Sequence, residues 1–213
     1  MGLLTSMEIN QARTRSLSVM ASAGLLIPAS LPLLESRLHL RTQTETVDRL
    51  LCLNAVAAAT YGFDRTHSLN WIREEGLGLS LTNREQRFLE LGDGQPQVFQ
   101  AQIEGMWALA WSLNLVPELD FWKDCDSNFA ARLPNLKVGQ RSAELRRGAN
   151  LRSLEDTVGA CDLAYCLHWA VRQTEIDRKQ TPTGLKGYLV RERRRALEWL
   201  LSSEAWDSIL LDT

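Results

Sequence analysis

The sequence predicts a mainly α fold: a compact multi-helix domain, with two helical lobes around a cleft as the more open variant. Three observations predict it. Apolar residues recur at helical spacing, as at Val47, Leu50, Leu51, Asn54, Ala58 and Tyr61. Helix-start signals stand before such runs: Ser153 precedes Glu155 and Asp156, and Thr82 and Glu85 have capping-box spacing. Finally, Val158 to Val171 is apolar or small on nearly every side, the mark of a helix buried all round.

At 213 residues the chain is read as one helical domain over 1–213. Its parts are a leader arm and packing segment (1–35), an acidic helical half (36–126), and a basic helical half (127–213) built around a central helix at 153–176.

The elements follow in order. Residues 1–16 are polar and read as an arm or a first short helix. Val19 to Leu34 is apolar but broken by Gly24, Pro28 and Pro32, so a helix end followed by extended packing is expected. A strong helix spans Thr44 to Tyr61, closed by Gly62. A second covers Arg65 to Glu75. The capping box at Thr82 opens a third, which carries Phe88 and Leu89 and stops at Gly92.

Gln97 to Leu115 is expected as one long helix, its stripe Phe99, Ile103, Met106, Trp107, Ala110 and Trp111 dominated by the two tryptophans. Pro117 is expected to start a short acidic helix ending near Asp126. Residues 127–140 are irregular, with a short strand at Leu136 to Val138. A basic helix covers Arg141 to Arg147. After the central helix come a polar linker (177–187, with Pro182), a last long helix from Tyr188 to Leu201, and a tail from Trp206.

Composition narrows the function classes. Hydrophobic residues make up 45% and charged residues 23%, which opposes disorder. The net charge of −2 gives no global basic footprint, so direct nucleic-acid binding is not expected. Glu74 to Asp126 holds ten acids against three bases, whereas Ser127 to Arg195 holds fourteen bases against seven acids. Either these halves attract one another, or the acids face a basic partner.

Cys52, Cys125, Cys161 and Cys166 form no C-x-x-C pair, which suits a reducing cytoplasm. No apolar run is long enough for a membrane span. Leu17 to Leu34 faintly resembles a signal peptide, but Glu8 and Pro28 oppose that reading.

No catalytic constellation emerges. His39, His67 and His168 are scattered, so no metal site is expected, and no cofactor loop is present. Cys161 shares a helix face with His168, but two buried groups suit a structural role better. Asp120 and Asp124 would share a face of the expected acidic helix, with Glu118 and Asp126 nearby, either as a cation or acid–base site or as plain exposed acids. Arg193 lies on the apolar stripe of the last helix. An inward arginine needs a carboxylate, and Asp162, Asp207 or Asp212 is expected to supply it.

Across most of the chain from about residue 35, an ordered set of residues is similar to a known family. It comprises Arg41-Thr42-Gln43-x-Glu45, Trp71-Ile72, Leu81-Thr82…Glu85…Phe88-Leu89, Trp107-Ala108-Leu109 and Cys125-Asp126. Asp162…His168-Trp169-Ala170-x-Arg172, Val190-x-Glu192-Arg193-Arg194-x-Ala196-Leu197-x-Trp199-Leu200, Trp206-Asp207 and Asp212-Thr213 complete it. The set resembles the bacterial domain of unknown function 4272. That resemblance carries over no enzymatic activity. Small bacterial domains of this sort often accompany secreted toxins, including those of type VI secretion, as cognate immunity proteins.

The leading expectation is therefore a non-enzymatic cytoplasmic immunity protein that blocks a toxin with a basic active-site surface, such as a nuclease. Glu74, Glu75, Glu90, Asp93, Glu118, Asp120, Asp124 and Asp126 are its interface candidates. The alternative is an enzyme or small-ligand protein with a polar pocket around Asp162, His168, Arg172 and Arg193. A third reading, an adaptor module, would show as Trp122 or Trp206 exposed among apolar neighbours.

Overall fold

The computed structural model describes residues 2–35, 37–178 and 184–212. The chain is all-α in architecture, with nine α-helices among these residues: α1 (Ser6–Ser22), α2 (Gln43–Thr60), α3 (Arg65–Glu74), α4 (Asn83–Leu91), α5 (Pro96–Ala101), α6 (Ile103–Ser112), α7 (Ala143–Gly148), α8 (Leu154–Ile176) and α9 (Gly187–Leu200). The described β-structure is one antiparallel pair, β1 (Gly2–Leu3) and β2 (Arg37–Leu38), with Gly2 opposite Leu38. No helix among the described residues is long and apolar enough to cross a membrane. Residues 179–183 of the linker expected at 177–187 lie outside the described residues.

α8 packs against both α1 and α9. α9 packs in turn on α6, α6 on α2, and α2 on α3. The α6–α9 approach is close at Gly105, where a Cβ would stand 3.3 Å from the Glu192 carbonyl oxygen and 3.5 Å from the Trp206 ring. One apolar cluster runs through these layers, including Leu50, Leu53, Leu109, Leu167 and Leu197.

Local sequence explains the helix starts. Thr5, Thr42 and Thr82 each accept from the backbone N–H three residues on. Glu8, Glu45 and Glu85 reach back to close three capping boxes. Ser153 caps α8 by accepting from Asp156 N–H. Gly92 ends α4 at φ +78°, a conformation disfavoured for side-chain-bearing residues.

Four local expectations are corrected. The arm or short helix expected at 1–16 is instead part of a seventeen-residue helix, α1, whose buried stripe is Ile9, Ala12, Arg13, Ser16 and Met20. The segment after it agrees with expectation, since the helix ends at Ser22 and residues 25–35 run on without helix. The long helix expected from Gln97 divides at Gln102 into α5 and α6. Its tryptophans are only half-buried, and Met106, Ala108, Leu109 and Ala110 face the core instead.

The acidic helix from Pro117 does not form. Its carbonyls are taken by side-chain donors: Glu118 by Trp107 Nε1 (3.1 Å), Pro117 by Arg152 (3.3 Å), and Asp120 and Lys123 by Arg193. The strand expected at 136–138 is a 3₁₀ turn. Asn135 accepts from Lys137 N–H (3.0 Å), and Gly139 leaves the turn at φ +63°.

Candidate functional site

The central helix carries its two polar residues into separate networks. Asp162 is fully buried and faces α1. Arg13 donates to it from Nε (3.1 and 3.2 Å) and Nη2 (2.9 Å), and also binds the carbonyls of Leu31 (2.9 Å) and Pro32 (2.8 Å). His168 faces α9, where Arg194 Nη1 lies 2.7 Å from its Nδ1. Arg194 also binds Glu198 (2.6 Å) and the Asp212 carbonyl (2.9 Å). Burial, and then the Arg194 cation, push the His168 pKa down to about 4, so the ring is neutral and accepts at Nδ1.

Arg193 is buried as its place on the apolar stripe implies, but its acid is Glu104 of α6, not Asp162, Asp207 or Asp212. Arg172 is exposed and pairs with Glu175 (2.6 Å). The polar pocket expected from Asp162, His168, Arg172 and Arg193 is therefore not assembled. Three of them are committed to separate internal partners and the fourth faces solvent.

Sequence reasoning missed Arg13, Arg49, Glu85, Glu104 and Arg194 as members of the buried polar network. Arg49 lies on α2 and pairs with Glu85 of α4. The signal that flagged Arg193, an arginine on an apolar stripe, applies equally to Arg13 and Arg49.

The eight acidic candidates fall at three places. Glu74 and Glu75, at the end of α3, meet Arg141 (3.1 and 2.7 Å), and Glu75 also accepts from Ser142 Oγ. Glu90 accepts from Gln86 (3.0 Å) and Asp93 pairs with Arg87 (2.6 Å), both around the end of α4. The rest lie on the 118–126 loop. There Asp120 pairs with Lys123 (3.0 Å), Asp124 meets Lys186 and the Tyr188 hydroxyl (2.7 Å), Asp126 accepts from Asn128 N–H (2.9 Å), and Glu118 is exposed. The Lys186 and Tyr188 hydrogen bonds lower the Asp124 pKa. Asp120 and Asp124 share no helix face.

Several acids of the acidic half thus meet cations of the basic half. Glu104–Arg193, Glu75–Arg141, Asp48–Arg146 and Asp124–Lys186 all cross the boundary. Among the described residues, no three His, Cys, Asp or Glu side chains gather closely enough to hold a metal. Cys52, Cys161 and Cys166 are buried free thiols, and Trp206 is buried too.

A different feature is open. A groove of about 660 Å³ runs between the C-terminal end of α2, the start of α6 and the 129–140 segment. Ala57, Ala58, Ile103, Met106, Phe129 and Leu133 line it, with Tyr61 at its edge 67% exposed. Its one ionisable aliphatic side chain is Lys137. Asn54 Nδ2 donates to the Pro134 carbonyl (3.2 Å), and Trp71 Nε1 donates to that of Gln140 (2.9 Å). These bonds hold the irregular segment as a wall. Trp107 packs edge-on against Phe129 beneath it, with ring centroids 5.1 Å apart.

The family model described as domain of unknown function (DUF4272) matches residues 12–209, nearly the whole chain. The chain belongs to this family. No curated protein and no solved structure matches it. The DUF4272 match begins at Ala12, so it includes Arg13 and the clamp on Asp162, and it ends at Ile209, beyond the buried Trp206. The groove lies wholly inside the DUF4272 region.

Proposed function

We propose that this DUF4272 protein is a binding protein without catalysis of its own, and that it acts as an immunity protein by capturing a toxin polypeptide. One observation carries the reading: an open cavity of about 660 Å³ is a largely apolar groove whose wall is pinned by hydrogen bonds from Asn54 and Trp71. Its volume falls within the usual range for binding pockets. Groups that could do acid–base work, Asp162, His168 and Glu104, are spent instead on buried partners. With many acids paired internally, the groove is the better candidate for contact than the acidic positions. The toxin as partner comes from the resemblance to small bacterial domains that accompany secreted toxins, and that part of the reading rests on this association.

The test is affinity capture of the tagged full chain from its native bacterium, followed by expression of each stoichiometric partner with and without the chain. A partner that arrests growth alone and is harmless when co-expressed supports the proposal. Capture of no stoichiometric partner, or of one whose toxicity the chain does not relieve, overturns it.

A further inference from the structure

We infer, on the binding-protein reading above, that the groove takes an amphipathic helix of its partner whose polar flank is acidic. The groove asks for an apolar stripe, since half-buried Ala58, Phe63 and Ile103 offer carbon surface above the buried Met106, Phe129 and Leu133. The charge of the wall supplies the rest. From Ser127 to Gln140 the chain has no acid. Its two cations, Arg132 and Lys137, are both exposed, and among the described residues neither makes an ion pair; Lys137 lines the groove, and Arg132 stands between the lining residues Ala131 and Leu133.

This sets them apart from Arg141, Arg146, Lys186 and Arg193, which face carboxylates of the other half. Val138, 76% exposed, extends apolar surface past Lys137. A helix lying in the groove would bury its apolar stripe and place carboxylates near two cations that have no competing carboxylate among the described residues. This is opposite in sign to the basic partner surface expected from the acidic half.

The experiment measures fluorescence anisotropy of labelled designed helices of about five turns. They share one Leu/Ile stripe and differ only in flanks of Glu, Gln or Lys. A fluorescent fatty acid, an apolar chain with a single carboxylate, is the fourth probe. The Glu-flanked helix is expected to bind the wild-type chain about tenfold more tightly than the Lys-flanked one, a gap that shrinks with added salt. The double substitution Arg132→Glu/Lys137→Glu is expected to reverse the order. Ala131→Trp, at an exposed lining position, should abolish binding without lowering the melting temperature.

Equal binding of all three helices overturns the charge argument. Binding of none, or tighter saturable binding of the fatty acid, overturns the helix as occupant. A toxin captured equally well by wild type and Ala131→Trp would sink this inference and leave the immunity reading standing. Failure to capture any toxin would sink that reading instead.

Discussion

Arg193 donates from Nε (2.9 Å) and Nη2 (2.5 Å) to one oxygen of Glu104, a residue 89 positions earlier in the chain. The other Glu104 oxygen accepts from Cys125 N–H (3.1 Å), and Arg193 also takes the carbonyls of Asp120 and Lys123. One buried pair thus joins α6 to α9 and holds the irregular 120–125 loop. It substitutes for the backbone hydrogen bonds a helix there would have made, because buried carbonyls need partners from somewhere.

Removing half of this pair leaves a buried charge uncompensated. Arg193→Met is expected to cost about 3–5 kcal/mol of unfolding free energy in urea titration. Glu104→Leu should cost a similar amount. The double variant should cost clearly less than the sum of the two, since it removes both charges together. Additive losses would show that the two side chains do not couple.

The Arg13–Asp162 clamp tethers α1 to α8 and reaches on to the carbonyls of Leu31 and Pro32. Asp162→Asn keeps the shape and removes the charge. Amide hydrogens of α1 are expected to exchange at least tenfold faster, corresponding to a loss of ~1.4 kcal/mol or more of local stability, while α2 changes less. Uniform acceleration across all helices would mean that α1 has no separate opening step.

The parts of the fold legible in sequence were those written locally. Capping residues and helical periodicity located α2, α3, α4, α8 and α9 within a residue or two. Thr5–Glu8 is as clear a capping box as Thr82–Glu85, and reading it would have started α1 at Ser6 and run it on to the helix end expected near Val19. The 117–126 loop could not be read this way, because what unwinds it is a set of donors on Trp107, Arg152 and Arg193.

Site residues followed the same division. The burial of Asp162, His168 and Arg193 was visible from the stripes they interrupt. Their partners were not, because Asp162 and Arg13 are 149 residues apart and no local period encodes that meeting. The groove was hidden because its lining joins α2 and α6 to an irregular wall.

The thiols give a sharp test of burial. Desolvation raises the pKa of Cys52 and Cys166 to about 12 and moves that of Cys161 upward as well. All three are buried, whereas Cys125 is partly exposed, with its pKa raised to about 12 by desolvation and then by Glu104. A thiol-specific chromogenic reagent at about pH 8 should label Cys125 slowly and the other three only at the rate of unfolding. In denaturant all four should react at ordinary thiol rates. Fast labelling of Cys52, Cys161 or Cys166 in the native protein would contradict their burial.

His168 gives the pH dependence its sign. Its folded pKa is about 4, against an ordinary imidazole value of 6.5, because burial and the Arg194 cation both oppose protonation. Above pH 6.5 both folded and unfolded chains carry it neutral, and its full contribution to stability is present. Between pH 6.5 and 4 the unfolded chain takes up the proton first, so stability is lost as pH falls. The loss approaches ~1.4 kcal/mol per pH unit and totals about 2–3 kcal/mol by pH 4. His168→Gln keeps an acceptor for Arg194 and removes the titration. Carboxylate effects are common to both proteins, so the wild-type advantage over His168→Gln should shrink by about that amount from pH 7 to pH 4. An advantage that stays constant across this range would place the His168 ring in solvent, away from Arg194.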